Sequence, residues 1–247
     1  MHLTINKVLV ALFIGASLAC FSTSTWAGVF SVTPVRIYME PKDRAVAVTV
    51  TNEGDEELVM QADVYEWMQK ADGEDVLTPS EDLFLSPPIL KVAPKSRQVV
   101  RLAKLKKNQD PNKQSTYRMI VREIPEAKPA DKDLQVQVAL AFSMPIFITP
   151  NGAKSHLDCT VAREAPGKLK IICENTGNAY SHPTAFLLKN LAGDKIATQE
   201  TGAYILPGIK REFEIKRQDG NIVAGKANLA VSLDDGTTQT FDVTISE

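Results

Sequence analysis

Several residue types that carry chemistry are scarce in this chain of 247 residues. It has three His and three Cys, and none of them shows the spacing of a zinc site. The net charge of −2 excludes the strongly basic surface that nucleic-acid binding needs. No G-x-S-x-G, Walker or G-x-G-x-x-G motif occurs, and Asp234–Asp235 is interpreted as a turn or surface pair. We therefore expect no enzyme, no cofactor, no metal and no nucleic-acid partner.

Long apolar runs are also missing, except near the N-terminus. Lys7 precedes the apolar run "VLVALFIGASLA", which is too short to span a bilayer, and Ala27 follows as a small residue. This pattern is typical of a secretory signal peptide over residues 1–27, cleaved after Ala27, and predicts an exported protein without membrane insertion. Two alternatives stay open: acylation at Cys20, which "SLAC" matches poorly, and a retained membrane anchor.

Two Cys remain after that cleavage, an even number in an exported chain. They lie on either side of the turn signal Pro166–Gly167. A hairpin centred on Pro166 places Cys159 opposite Cys173, so we predict a disulfide between them. The alternative is a pair of free, buried thiols.

The remaining residues predict an all-β protein. Alternating segments such as "AVAVTVTNEG", "LVMQADVYEWMQ" and "KLKIICENTG" are separated by Pro, Gly, Asn and Asp turns, and no long segment keeps a helical stripe. Trp67 is interpreted as a buried packing residue. Many short strands favour two β-sandwiches of about 100 residues each, which we place at 28–150 and 151–247.

One segment is too long for such a sandwich. Leu134 to Thr149 reads "LQVQVALAFSMPIFIT", with a large apolar residue at every even position. At about 3.3 Å per residue it extends about 50 Å, whereas an ordinary strand spans about 17–20 Å. The Pro-rich and charge-rich segment "EIPEAKPADKDLQ" precedes it and is predicted to be a surface loop.

Six motifs together resemble a known family. In chain order they are "VTPVRIYM", "VTNEGDEELVMQADVYEW", "SPPILKVAPKSRQVVRL", "YRMIVREIP", "ENTGNAYSHPTAF" and "YILPG". Each is weak alone, but their order and spacing resemble the periplasmic pilus chaperones of the chaperone–usher pathway, the PapD-like family. The resemblance covers nearly all of the chain after residue 29.

The resemblance implies a fold, a location and a function. The fold is two immunoglobulin-like β-sandwiches in a boomerang arrangement, and the location is the periplasm. Such a chaperone binds pilus or fimbrial subunits that lack a strand, lends its own long strand, and delivers them to an outer-membrane usher. The side chains expected to enter the subunit are Leu134, Val136, Val138, Leu140 and Phe142. Met144, Ile146 and Ile148 are expected to pack in the chaperone's own core, and a self-capping oligomer is expected as one way to protect the free strand.

The resemblance also implies a cationic anchor for the subunit's C-terminal carboxylate. In the best-known branch the anchor is an Arg of the first strand, here Arg36, with a Lys on the long strand. Pro145 stands at the position of that Lys and offers no charge. "FSMPIF" and "YRMIVREIP" are more similar to the archaic branch, which implies Arg118 as the second anchor. The alternative for either Arg is an ordinary salt bridge.

Two other kinds of protein stay open. One is a two-domain structural or adhesive surface protein, although a pilin should carry a strand-donating extension ahead of a single incomplete domain. The other is an exported enzyme or solute-binding protein, for which the sequence shows no convergent polar pocket.

Overall fold

The computed structural model describes residues 30–105, 110–125, 139–165, 168–216 and 224–246. The regular elements of these residues are all β-strands. The first ten are β1 (Phe30–Thr33), β2 (Ile37–Met39), β3 (Ala45–Asn52), β4 (Leu58–Gln69), β5 (Asp75–Pro79), β6 (Leu83–Ser86), β7 (Ile89–Val92), β8 (Arg97–Lys104), β9 (Ser115–Glu123) and β10 (Ala141–Ile148). The other seven are β11 (Leu157–Ala165), β12 (Lys168–Asn175), β13 (Pro183–Asn190), β14 (Lys195–Glu200), β15 (Lys210–Lys216), β16 (Gly225–Leu233) and β17 (Thr238–Ile245).

Strands β1–β10 form a two-sheet sandwich. One sheet has the order β1-β3-β8-β6, and the other has the order β2-β10-β9-β4-β5, with β7 also paired to β4. Alternating apolar residues line the inside, because successive side chains of a strand point to opposite faces. Val48, Leu102, Met119 and Ile146 are fully buried there. Met144 and Ile148 are also buried in this core, as the sequence predicts.

Strands β1 and β2 follow each other in the sequence but belong to different sheets. β1 pairs antiparallel with β3 in one sheet, and β2 pairs in parallel with β10 in the other. Arg36 lies in the bend between them. Because β2 pairs only with Ile146–Ile148, it covers only the last three residues of that edge of β10.

Strands β11–β17 form a second sandwich. Its sheets have the orders β11-β12-β15 and β14-β13-β16-β17. Phe186, Leu229 and Ile215 are fully buried in its core. The architecture is therefore two immunoglobulin-like sandwiches, as predicted. The boundary predicted between residues 150 and 151 lies in the connection from β10 to β11.

The predicted disulfide is present. Cys159 and Cys173 are direct cross-strand partners on β11 and β12, with Cα atoms 4.1 Å apart. The predicted hairpin register holds from Leu157 to Arg163 and then shifts at a bulge before Ala165. The turn residues 166 and 167 lie outside the described residues.

The predicted long strand is described only in its second half. β10 begins at Ala141, and the expected strand residues Leu134, Val136 and Val138 lie outside the described residues. The described ladder stops where its partner stops, because β9 ends at Glu123 and the amide of Glu123 donates to the carbonyl of Leu140 at 2.8 Å. In the described part of the chain, no helix is long and apolar enough to cross a membrane.

Candidate functional site

An aromatic cluster joins the two sandwiches. Trp67 of β4 and Phe147 of β10 lie on the face of their sheet that points away from its own core, yet both are almost fully buried. Tyr180 stacks on Phe147 with ring centroids 4.0 Å apart, and Tyr204 meets Trp67 edge to face at 5.4 Å. The second sandwich therefore covers these two rings. Trp67 is buried as predicted, but between the domains and not in the core of its own sandwich.

Two glutamine side chains bridge the same junction. The amide of Gln69 donates to the carbonyl of Tyr204 at 3.1 Å and accepts from the amide of Leu206 at 2.9 Å. Gln114 accepts from the amide of Tyr180 at 2.9 Å, and its own backbone amide donates to the carbonyl of Asn178 at 2.9 Å. Each Gln thus both donates to and accepts from the second sandwich, Gln69 through its side chain alone and Gln114 through its side-chain oxygen and its backbone amide.

Arg36 is held at this junction by groups of the second sandwich. Its Nη1 donates to Oδ2 of Asp234, in the turn between β16 and β17, and its Nη2 lies 3.3 Å from Nδ1 of His182. Burial opposes its charge, but hydrogen bonding with Tyr38 and the nearby Asp234 raise the pKa of Arg36 above its usual value on balance. About a third of the Arg36 side chain is still exposed.

Arg118 lies at the same junction and is more buried than Arg36. Its guanidinium carbon is 3.9 Å from the centroid of Trp67, in cation–π contact, and its Nη2 is 3.3 Å from Oδ2 of Asp75. Burial lowers the pKa of Arg118, and the carboxylate of Asp75 opposes that shift. An Arg side chain stays charged in a protein even so. Arg118 is therefore a mostly buried cation that donates a hydrogen bond to the partly exposed carboxylate of Asp75.

The two predicted anchor residues converge on one ring. The guanidinium carbons of Arg36 and Arg118 lie 5.6 Å and 5.9 Å from the centroid of Tyr204. Burial raises the pKa of this phenol, so Tyr204 stays neutral at physiological pH and adds no negative charge to the pair of cations. The structure thus brings together two Arg residues that the sequence places far apart.

Arg118 lies directly across from Pro145, which stands where the best-known branch of the family has a lysine. It pairs with Pro145 as direct cross-strand neighbours on β9 and β10, so both side chains stand on the same face of the sheet. Such neighbours have Cβ atoms about 4.5–5.5 Å apart. Arg118 therefore places a positive charge next to Pro145, from the adjacent strand.

Next to Arg36, β10 has a stretch of edge with which no described strand pairs. The carbonyl of Leu140 accepts from β9, while the amide of Thr149 donates to the carbonyl of Met39 in β2. Because backbone groups alternate in direction along a strand, the odd-numbered residues of β10 point toward the β2 edge. Among the described strands, none pairs with that edge at Ala141, Ser143 or Pro145.

The apolar face of β10 continues past the core of its own sandwich. Phe142 and Leu140 are on the same side as Met144, but each is 38% exposed. Phe142 meets the ring of Phe30 edge to face, with centroids 5.0 Å apart. These are the two predicted strand-donating residues that the structure describes, and both lie at the open end of the edge.

Sequence reasoning missed the groups from the second sandwich. Asp234 was interpreted as a turn or surface residue; it does lie in a turn, but it is mostly buried because Arg36 and His182 cover it. Tyr180 and Tyr204 fall in "ENTGNAYSHPTAF" and "YILPG", which marked the second domain without assigning any role to these residues. The described residues include no group of His, Cys, Asp and Glu that could hold a metal ion.

Comparisons with known proteins agree with this geometry. Residues 29–154 match the family described as "Pili and flagellar-assembly chaperone, PapD N-terminal domain". A search of curated proteins finds no match. Solved structures do match this chain.

Three of these structures illustrate the likeness. A chain of the CsuC–CsuE chaperone–tip adhesion subunit pre-assembly complex, from the archaic chaperone–usher Csu pili of Acinetobacter baumannii, is 21% identical, with a TM-score of 0.63 over 89% of this chain and 100% of that chain. The Escherichia coli chaperone DraB is 21% identical, with a TM-score of 0.57 over 89% and 97%. A chain of the Salmonella enterica SafA pilin complex with the SafB chaperone is 14% identical, with a TM-score of 0.58 over 90% and 98%. At these identities the likeness establishes a shared fold.

Proposed function

Since the chain belongs to the family of pili and flagellar-assembly chaperones, we propose that it is a periplasmic chaperone that binds and caps pilus subunits by lending them strand β10. It then delivers them to an outer-membrane usher. The observation that carries this proposal is the open, apolar edge of β10, which ends at Arg36.

The direction of a guest strand follows from the position of β2. A guest that pairs with Ala141–Pro145 lies in line with β2 on the same edge, and β2 begins directly after Arg36. β10 runs toward Arg36. A guest strand therefore brings its C-terminus to Arg36 only if it lies parallel to β10. Its terminal carboxylate then meets Arg36, and an antiparallel guest would bring its ammonium group to the same cation.

Arg36 and Arg118 form the proposed anchor. Charge-assisted hydrogen bonds from a guanidinium to a carboxylate are shorter and stronger than neutral ones. The anchor fixes one end of the guest, and the backbone ladder along Ala141 and Ser143 fixes its direction. Pro145 has no amide hydrogen, so the ladder loses one donor where the anchor takes over.

Apolar side chains supply the rest of the binding energy. Phe142 and Leu140, together with the predicted Leu134, Val136 and Val138, would enter the groove that a missing strand leaves in the subunit. Full burial of one such side chain is worth about 1.5–3 kcal/mol. The cost of ordering the strand and immobilising the partner offsets part of this energy.

The complexes formed by similar proteins support the choice of partner. One contains a chaperone with a tip adhesion subunit, and another contains a pilin with its chaperone. We extend this partner class to the present chain, with the subunit as cargo and the usher as the next acceptor. No nucleotide or metal enters the proposed cycle.

Co-expression tests the proposal. The protein would be produced in a Gram-negative periplasm with the genes next to its own, purified through a tag, and weighed as intact complexes by native mass spectrometry. A one-to-one complex with a small exported protein supports the chaperone. Recovery of the protein alone, or only as a polymer of itself, would favour a two-domain structural or adhesive surface protein.

A further inference from the structure

The anchor Arg36 already holds a carboxylate in the free protein. Asp234 accepts a hydrogen bond from Nη1 of Arg36, and its side chain is mostly buried against the first sandwich. A subunit carboxylate that approaches Arg36 therefore meets an occupied guanidinium. It must share the cation with Asp234 or displace it.

His182 offers Asp234 a second partner. Nδ1 of His182 lies 3.2 Å from Oδ2 of Asp234 and 3.3 Å from Nη2 of Arg36. A single ring nitrogen cannot accept from the guanidinium and donate to the carboxylate at once, because one role needs a lone pair and the other needs a proton. The three side chains therefore have two alternative hydrogen-bond arrangements.

The alternative hydrogen bond joins His182 and Asp234, and other contacts within the second sandwich hold both residues in place. The amide of Asp234 donates to the carbonyl of His182 at 3.1 Å. The ring of His182 stacks on Tyr204 with centroids 4.0 Å apart and an angle of 6° between the planes. Asp234 also has the hydroxyl of Tyr180 at 3.5 Å from Oδ2. Asp234 can thus release Arg36 and still have the imidazole of His182 and the hydroxyl of Tyr180 as donors.

We propose that Asp234 is an internal competitor for the anchor Arg36, and that His182 receives Asp234 when a carboxylate from outside binds. In the free arrangement Nδ1 of His182 accepts from Arg36, and the imidazole proton is on Nε2, which is buried and has no hydrogen-bond partner among the described residues. An unpaired buried N–H is costly, so this arrangement holds His182 less firmly than the alternative one. In the bound arrangement the proton is on Nδ1 and is donated to Asp234, while the guanidinium turns to the incoming carboxylate. No net proton is gained or lost.

This inference deepens the proposed function, on which it rests for the identity of the natural ligand. Capture becomes an exchange of one carboxylate for another, so the anchor contributes less net affinity than a free Arg would. Release is correspondingly easier, because Asp234 is ready to take Arg36 back when the subunit leaves.

The test uses acetate, the simplest carboxylate, and needs no subunit. Full-length mature protein labelled at its Arg side chains would be titrated with sodium acetate, against sodium chloride at equal ionic strength, and the Arg36 signals followed by NMR. We expect Asp234→Asn to bind acetate at least about fivefold more tightly than the unmodified protein, within the usual range of couplings between sites. His182→Phe keeps the ring stacked on Tyr204 but removes Nδ1, and it should bind acetate about fivefold more weakly.

Matched controls separate the exchange from general charge effects. Asp235 is the neighbouring carboxylate of the same turn and is hydrogen-bonded to Thr237, so Asp235→Asn should leave acetate binding unchanged. Arg36→Ala should remove the response, and thermal unfolding of each variant shows that it is folded. Equal affinities for the unmodified protein, Asp234→Asn and His182→Phe, or no response at Arg36 in any of them, would overturn the proposal.

The imidazole itself gives a second measurement. Nitrogen chemical shifts distinguish the two tautomers, and His156→Gln assigns the signals of the two histidines that follow residue 27. We expect saturating acetate to move the His182 proton from Nε2 to Nδ1. An unchanged tautomer would also overturn the exchange. Because neither measurement involves a subunit, failure here and failure of the chaperone function are distinguishable.

Discussion

Pro145 and Arg118 are direct cross-strand partners on β10 and β9. The pairing explains how a chain without a lysine on its long strand still has two cations, Arg36 and Arg118, at the junction of the sandwiches. The resemblance implies a lysine ammonium on the long strand in the best-known branch of the family. In this chain the cation is the guanidinium of Arg118, which lies on the neighbouring strand and stacks on Trp67. A guanidinium is the better donor for a carboxylate in such a partly buried site, because its N–H groups have a fixed fork geometry.

The first prediction concerns the open end of β10. Replacing Leu140 or Phe142 by Asp should lower subunit affinity at least tenfold, because each change puts a charge where the proposed guest presents apolar surface. Pull-down of the subunit followed by native mass spectrometry measures the loss. Leu191→Asp is the matched control, since Leu191 is 69% exposed on the other sandwich and should leave binding unchanged. Undiminished capture by both strand variants contradicts strand donation.

The second prediction concerns Arg118. Arg118→Ala should weaken the subunit complex about tenfold or more, because a desolvated cation that pairs with the terminal carboxylate is lost. Arg118→Lys should restore only part of the affinity, since a lysine cannot form the fork contact or stack equally well on Trp67. Binding measured at two salt concentrations checks this. Arg97→Ala, on the exposed end of β8, serves as the control, and equal losses for Arg97 and Arg118 would contradict the anchor.

A third prediction concerns the coupling of the two sandwiches. Phe147→Ala should destabilise the protein by about 3–5 kcal/mol, the usual cost of removing a buried aromatic ring. Because this ring packs against Tyr180 across the junction, calorimetry should show two separated unfolding transitions in place of one. Phe186→Ala, in the core of the second sandwich, should lower stability without that pattern. A single transition for Phe147→Ala would show that the junction does not couple the domains.

The fourth prediction concerns the disulfide. Replacing Cys159 and Cys173 together by Ala should lower the free energy of unfolding by about 3 kcal/mol, because the unfolded chain regains the freedom of a loop of about 15 residues. Urea denaturation of both forms measures the difference. The buried bridge should also resist reductant in the native state, since Cys173 is fully buried. Subunit capture by the double variant should be normal at temperatures where it remains folded, as the bridge lies away from β10.

The sequence predicts best what is set by local alternation. The core positions Met144, Ile146 and Ile148 and the pairing of Cys159 with Cys173 follow from a period of two residues and one turn, and all are confirmed. The family motifs extend this to the two-sandwich fold. The strand-donating roles of Leu134 to Phe142 and the anchor roles of Arg36 and Arg118 stay predictions.

The contacts between the domains could not be predicted in the same way. Arg36 and Asp234 are 198 residues apart in the sequence, and no local pattern links them. The burial of Phe147 likewise depends on Tyr180, since its own sheet leaves it on the outer face. A single sequence shows which residues alternate, but the angle at which two sandwiches meet decides which charges become neighbours.

The bend at Arg36, between β1 and β2, also bears on which polypeptide segments the proposed chaperone can bind. β2 fills the edge of β10 from Ile146 onward, so a guest lying on that edge runs directly into the chaperone's own backbone. Under the proposed function, a guest that ends at Arg36 would fit beside β10, and a guest that continues past Arg36 would collide with β2. We therefore expect the bend to favour C-terminal segments over internal segments of equal apolar character. The position of β2 would then limit how far a guest can extend along β10, in addition to the side-chain contacts that bind it.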